Sequence, residues 1–358
     1  MVAFYTNRTL IAPMARLGRN FDFGSFNQMR ENYLTQDVES DNGIFVPWSS
    51  LFDLDSLKTQ YNVRIIEKTH GHTDASSETH LGASPMPDMI HFVNMSQALR
   101  SWKIYDKEDS TTPMGSYTHK VTVNQLNAID QPLLYFGSMF GGGRVMASIP
   151  EHQKFQTFMR KQFKIVHPIL KAAADVVIDA LGGPNRYVAL QVLSIGRGQG
   201  THEQQLDRSI HSLLSELDLD EMMMGDNVVA GRDCLEDGFS RKLYLATDLA
   251  SPYANPDLTR LRALFPCSIA YQDLLTWDII QDPLADIIDH RGRNIGHFFI
   301  PLVDGIVASR GKEGHTVAQE EKITHSLVSF LFTAAKFFSQ QGSGYGQYFQ
   351  QAWQIEHR

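Results

Sequence analysis

Cysteine is almost absent from this chain: Cys234 and Cys267 are the only two among 358 residues. Two thiols cannot build a structural zinc site unaided, and these lie too far apart in sequence for a redox CxxC pair. They either pair as one disulfide in an oxidising compartment or remain two unrelated thiols, and composition does not choose between these. A basic excess is also missing. Lys and Arg number 32 against 40 Asp and Glu, a net charge of -8, which argues against nonspecific binding to a polyanion and so against a nucleic-acid partner. No apolar run reaches the ~18 uncharged residues of a membrane span. The strongest, "ITHSLVSFLFTAAKFF" from Ile323, carries His325 and Lys336 and reads as a buried helix. The start, "MVAFYTNRTLIAP", lacks the basic head and long apolar centre of a signal peptide.

What remains is a composition with ample core. Hydrophobic residues make up 42% and charged residues 20%, and a length of 358 suits two domains of ordinary size. Near the beginning, "TLIA" reads as a buried strand ended by Pro13, with only "MVAFYT" before it to supply a helix. The chain therefore reads as starting mid-element. "VPWSSLFDLDSLKTQYNVRIIE" predicts a loop, a short helix after Asp53 and an edge strand "VRII". "LLYF" reads as a strand, and Gly141 to Gly143 after it as either a close backbone approach or a hinge. Glu151 to Leu181 is helix-rich and stops at Gly182-Gly183-Pro184.

The second half alternates. "YVALQVLSI" and "KLYLATD" read as strands, and "NPDLTRLRALF" as a helix. "PLADIIDHRGRNIGHFFIPLVDGIVAS" reads as largely helical. Thr201-His202-Glu203-Gln204 has the capping-box pattern, opening a helix whose apolar face is Leu206, Ile210, Leu213, Leu214 and Leu217. Such alternation favours an α/β fold with a parallel sheet, whose ligands bind at the carboxyl ends of the strands. The expected organisation is an N-terminal domain over 1–165, a nucleotide-binding domain over 166–345 and a tail over 346–358.

Three sets of residues suggest chemistry. Gly196, Gly198 and Gly200 follow the strand "YVALQVLSI" as a phosphate-binding turn would. Thr201 stands where a dinucleotide fingerprint needs its third glycine or alanine, and "SELDLDEMM" supplies no acidic residue at a strand end, so a dinucleotide enzyme is not expected. His70, His72 and His80 lie in the turn-rich segment "THGHTDASSETHLGASPMP". A solvated surface loop accounts for them better than a metal site, because no rigid element fixes their geometry. Asn7-Arg8-Thr9 and Asn94-Met95-Ser96 are glycosylation sequons should the chain be secreted.

Four stretches taken in order carry a further likeness: "FYTNRTLIAP", "YFGSMFGGGRV", "GGPNRYVALQVLSIGRG", and "LYLATD" continuing through "LRALFPCSIAYQDL" to "PLVDGIVASRG". From about Asn7 to Gly311 their order and spacing resemble the O-fucosyltransferase family, its divergent fungal members above all. The resemblance implies a GT-B-like fold, two Rossmann-like domains with a cleft between them, here with an incomplete N-terminal domain. It implies transfer of fucose from the nucleotide sugar GDP-fucose to a Ser or Thr hydroxyl of a protein acceptor, with no metal and no cofactor beyond that substrate. It also implies the lumen of the endoplasmic reticulum or Golgi, with the cytoplasm as the alternative, and a Cys234–Cys267 disulfide. The donor-binding residues it suggests are Gln191, Arg197, Asp248, Arg310 and Thr316, with Asp304 in support. Asp248, in the "TD" turn, would accept from the guanine N–H groups, or else cap the element that follows.

The chain also departs from that family. Gln191-Val192-Leu193 stands where His-x-Arg is expected. Leu193 cannot pair with phosphate, and a lost charge-assisted contact costs about 1.5–3 kcal/mol. "QEEK", with Glu320 and Glu321, replaces a hydroxyl cluster near the phosphates, and the glycine–asparagine loop before "NRTL" is missing. No residue presents itself as the catalytic base. The expected function is therefore an O-fucosyltransferase-like protein with weak or no activity. The alternative is a non-catalytic nucleotide-binding, glycan-binding or interaction protein on the same scaffold.

Overall fold

Pro168 sits in the first turn of a helix, where its missing N–H leaves nothing unpaired, and Gly182 and Gly183 end that helix with φ of 95° and 101°. The Gly183 N–H reaches back to the Ile178 carbonyl at 2.9 Å, a glycine stop of the kind "LGGP" predicts. The computed structural model describes residues 1–12, 15–18, 43–67, 89–93, 102–115, 117–136, 143–162, 165–192, 207, 210, 211, 214, 230–236, 242–247, 249, 251–289 and 292–311. The chain divides into two compact units, one over Met1–Val166 and a second beginning at His167. Both mix helices with small parallel sheets, so the fold class is α/β.

In the first unit, β1 (Leu10–Ala12) and β4 (Ile65–Glu67) pair in parallel, as do β5 (Ile90–Val93) and β8 (Leu133–Phe136). β2 (Ala15–Gly18) and β3 (Gly43–Val46) form an antiparallel pair. A three-stranded parallel sheet runs in the order β7 (His119–Thr122), β6 (Trp102–Tyr105), β9 (Gly143–Val145). The helices are α1 (Val2–Tyr5), α2 (Trp48–Leu51), α3 (Leu54–Tyr61), α4 (Val123–Asn127) and α5 (Pro150–Gln162). α3 begins where Asp53 accepts from the Ser56 N–H and stops at Asn62, whose φ of 51° breaks the helical run. α5 buries Phe155 and Phe158, and Phe155 stacks on Phe4 of α1 at 4.2 Å. Gly143 lies in β9 opposite Trp102, whereas Gly141, Gly142, the three loop histidines and Asn94 fall outside the described residues.

The second unit is built on β10 (Tyr187–Val192), β11 (Lys242–Thr247) and β12 (Ser268–Ala270), parallel and adjacent in chain order. β11 is buried from Leu243 to Thr247, so neither face meets solvent. On one face, Leu190, Leu243, Leu245 and Ala270 pack with Ile210, Leu214, Leu258, Leu261 and Phe265. Leu258 ends a short turn that leads into α7 (Thr259–Leu264). The other face carries Tyr244, and α9 (Ile300–Ser309) lies on β10, β11 and α6 (Pro168–Ala180). α6 turns Leu170, Ala173, Ala174, Val177 and Ile178 inward, the 3.6-residue period of a half-buried helix. α8 (Tyr271–Thr276) follows β12 directly.

The stretch read as helical from Pro283 onward is corrected in part: helix begins only at Gly296–Phe299 and continues as α9. Before it the Leu284 N–H bonds the Asp282 side chain, Gly292 takes φ 75°, and Ile288 bridges Asn294. Asp and Gly here satisfy a turn locally, and an apolar period alone does not outweigh that.

Cys234, in the turn Gly231–Leu235, is bonded to Cys267, the residue before β12, and both are buried. The closed loop contains all of β11. Replacing both cysteines with serine should cost about 2–4 kcal/mol in urea unfolding, because the unlinked chain gains loop entropy when unfolded.

Asp304 is a carboxyl buried in α9, accepting from the Tyr244 hydroxyl at 2.5 Å. Burial pushes its pKa up to about 7, only partly offset by that hydrogen bond. The folded state thus holds a proton that the unfolded chain releases near pH 4. Asp304 therefore contributes stability fully below that pH, and the contribution is lost as pH rises through about 7. Asp304→Asn keeps an acceptor for Tyr244 and cannot ionise. Its stability relative to wild type should rise between pH 5 and pH 8, measured by denaturant titration at both; an unchanged difference counts against the assignment.

Candidate functional site

In a parallel α/β sheet ligands sit at the carboxyl ends of the strands, here Val192, Thr247 and Ala270. Thr247 is buried, and its hydroxyl accepts from the Leu249 N–H at 3.2 Å. The segment after β11 is held from two sides. Asp273 of α8 accepts from the Tyr253 N–H at 3.1 Å with one oxygen and from the Ala270 N–H at 2.9 Å with the other. Arg262 of α7 donates to the Pro252 carbonyl at 2.7 Å and the Asn255 carbonyl at 2.5 Å. Its guanidinium lies 5.4 Å from the centre of the Tyr253 ring, which packs T-shaped on Trp277 with ring centres 5.0 Å apart. Gly231, with φ 67°, lets the Tyr253 hydroxyl approach where a Cβ would stand 2.9 Å from it.

The charges suit this anchoring role. Burial raises the Asp273 carboxyl against the pull of two backbone donors and Arg262. Burial also lowers the Arg262 guanidinium, although Tyr253 and Asp273 favour its charge. Both groups spend their hydrogen bonds on backbone. They set the path of the chain beyond β11, leaving contact with a ligand to other groups.

Gln191 is the fifth residue of β10 and pairs with Ala246. Arg197, Asp248 and Thr316 lie outside the described residues, as does Leu193. Arg310 is placed at the other end of the sheet: its carbonyl accepts from the Asn185 N–H just before β10, and its side chain meets Asp175 of α6 at 2.9 Å. Arg310 and Gln191 are therefore not brought together at the carboxyl edge. Asp304 lies beneath the sheet against Tyr244, a packing role. Asn7 is exposed beside β1 with φ 52°. Arg262 and Asp273 escaped sequence reasoning, though Asp273, three residues after the last strand position, carries the signal of an acidic helix start.

The first unit holds a second polar constellation, also unforeseen. Asp106, directly after β6, is buried and accepts through Oδ2 from the Ser148 N–H at 2.6 Å, the Ile149 N–H at 2.8 Å and His152 Nδ1 at 3.0 Å. Nearby, Lys120, Glu108, Thr122 and Gln125 line an open hollow of about 380 Å³. Lys120 itself bonds the Glu108 carbonyl at 2.9 Å. Among the described residues no group of three or more His, Cys, Asp or Glu could hold a metal ion, and no helix is long and apolar enough to cross a membrane.

No protein-family profile matches the chain, and no curated protein matches it significantly.

Asp273→Ala would strand the Tyr253 and Ala270 N–H groups. Hydrogen exchange at both amides should accelerate, with a global cost of about 1–3 kcal/mol for the unpaired donors. Unchanged exchange at Tyr253 would remove Asp273 from the anchoring role.

Proposed function

We propose that the chain is an O-fucosyltransferase-like protein of GT-B type whose second unit takes GDP or GDP-fucose, with weak or no transfer to Ser or Thr hydroxyls of a protein acceptor. The observation that carries the nucleotide part is the doubly covered parallel sheet β10–β11–β12, with an anchored segment leaving β11 at the carboxyl edge. Parallel α/β sheets bind nucleotides at that edge, where backbone N–H groups stand free of the ladder. Fucose specificity rests on the resemblance of the four stretches alone.

Asp248, next after β11, is the group assigned to guanine. Gln191 and Arg197 are assigned to the diphosphate side, and Thr316 completes the set; Arg310 belongs to it by resemblance alone, since its side chain meets Asp175. A secretory lumen is the compartment this reading takes, supported by the buried Cys234–Cys267 bond, since disulfides persist where the surroundings oxidise.

Leu193 favours the second reading, a binding protein without transferase activity. Where the resemblance expects a cation to neutralise the leaving diphosphate, this chain has an alkyl group. A leaving group whose developing charge goes unpaired raises the barrier more than it weakens binding.

Calorimetric titration with GDP, GDP-fucose and NAD tests the proposal. GDP and GDP-fucose should bind and NAD should not, and Asp248→Ala should weaken GDP by about 10- to 100-fold, the worth of a charged hydrogen-bond pair. Heat from none of the three would overturn the nucleotide reading. Fucose transfer to a Ser/Thr peptide at a rate well above hydrolysis would overturn the weak-or-inactive part of it.

A further inference from the structure

The Asp106–His152 pair has the form of a proton-accepting site. Asp106 leaves the end of β6 with a fully buried side chain, and His152 comes from the first turn of α5 with 14% of its side chain open to solvent. Burial by itself would raise the Asp106 carboxyl. The N–H groups of Ile149 and Ser148, the His152 ring and the Ser148 hydroxyl outweigh it, holding that carboxyl below its usual range. An ionised carboxylate only accepts, so the proton of a neutral His152 must lie on Nδ1 and the free lone pair on Nε2.

Two features exceed what capping a helix needs. The Asp106 Oδ1 atom is buried with no partner among the described residues, while Oδ2 takes three donors. The ring is also locked. Tyr5 stacks on it at 3.8 Å and 14°, Phe4 meets it at 5.9 Å, and the Tyr5 hydroxyl points at the His152 carbonyl. His152 Nε2 has no partner among the described residues. A carboxylate that fixes the tautomer, a clamped ring and an open Nε2 make a preorganised acceptor for an O–H.

We propose that Asp106 and His152 form a binding site for an aliphatic hydroxyl, which donates its hydrogen bond to His152 Nε2 while Asp106 holds the ring in that tautomer. The ligand is an alcohol, carried by a serine or threonine side chain or by a sugar. The site stands on the first unit alone and does not depend on the nucleotide reading.

The test uses the full chain with ¹⁵N-labelled histidine, His152→Gln identifying the ring signals. With the ring neutral, wild type should show Nδ1 protonated and Nε2 bare, and Asp106→Asn should move the proton to Nε2. N-acetylserinamide and methyl α-L-fucopyranoside are then added separately. At least one should shift the Nε2 signal saturably and protect His152 from carbethoxylation by diethyl pyrocarbonate, and its O-methylated counterpart should do neither. Protection by the serine probe assigns a peptide ligand, and protection by the fucoside assigns a sugar; either result sustains the proposal. An Nε2–H tautomer in wild type overturns it, as does the absence of protection by both alcohols. Should Asp106→Asn fail to fold, the wild-type tautomer and the protection experiment decide. GDP titration has no bearing on either readout, so loss of one reading leaves the other standing.

Discussion

β11 has no solvent face, and the second unit is arranged around satisfying that strand. Its backbone pairs with β10 along all six residues on one side and with β12 from Leu243 to Leu245 on the other. Its leucines demand an apolar layer on one face, supplied by Ile210, Leu214, Leu258, Leu261 and Phe265. Tyr244 sets a different demand on the opposite face, because a buried hydroxyl needs a partner. Asp304 meets it at the cost of burying a carboxyl that is best kept protonated. The Cys234–Cys267 bond encloses the same strand, tying the turn before it to the entry of β12. Removing β11 would leave α9, the leucine layer and the disulfide without a common surface.

Much of this was legible wherever one local force dominates. "YVALQV" and "KLYLAT" are apolar on both sides of the pleat, which only a strand covered on both faces can satisfy, and they became β10 and β11. "LGGP" stopped α6 because two residues there require left-handed backbone. Reading failed where local and apolar signals competed. From Pro283 to Ile295 the apolar period suggested helix, yet Asp282, Asp289 and Asn294 bond nearby backbone and hold turns instead.

The site was less legible than the fold. Two of the residues nominated by motif lie apart: Gln191 is in β10, and Arg310 is at the opposite end of the sheet with Asp175. The groups that shape the carboxyl edge, Arg262 and Asp273, act on carbonyls and N–H groups up to 20 residues away. Asp106 and His152 are 46 positions apart and have no shared motif. Neither residue looks unusual in sequence. Only their meeting makes one the other's partner.

The sequence alone determined that this is an acidic α/β chain whose two cysteines cannot build a zinc site unaided, with no apolar run long enough to span a membrane as a helix. It also determined where its main strands and helix stops lie, because composition, pleat period and left-handed glycines act within a few residues. The tertiary structure decided the order β10–β11–β12, the bond between Cys234 and Cys267, the pairing of Tyr244 with Asp304 and the clamping of His152 by Asp106 and Tyr5. Each of these joins groups distant in the chain. The strength of such contacts depends on burial and on distances of a few ångströms, quantities that exist only once the chain has folded.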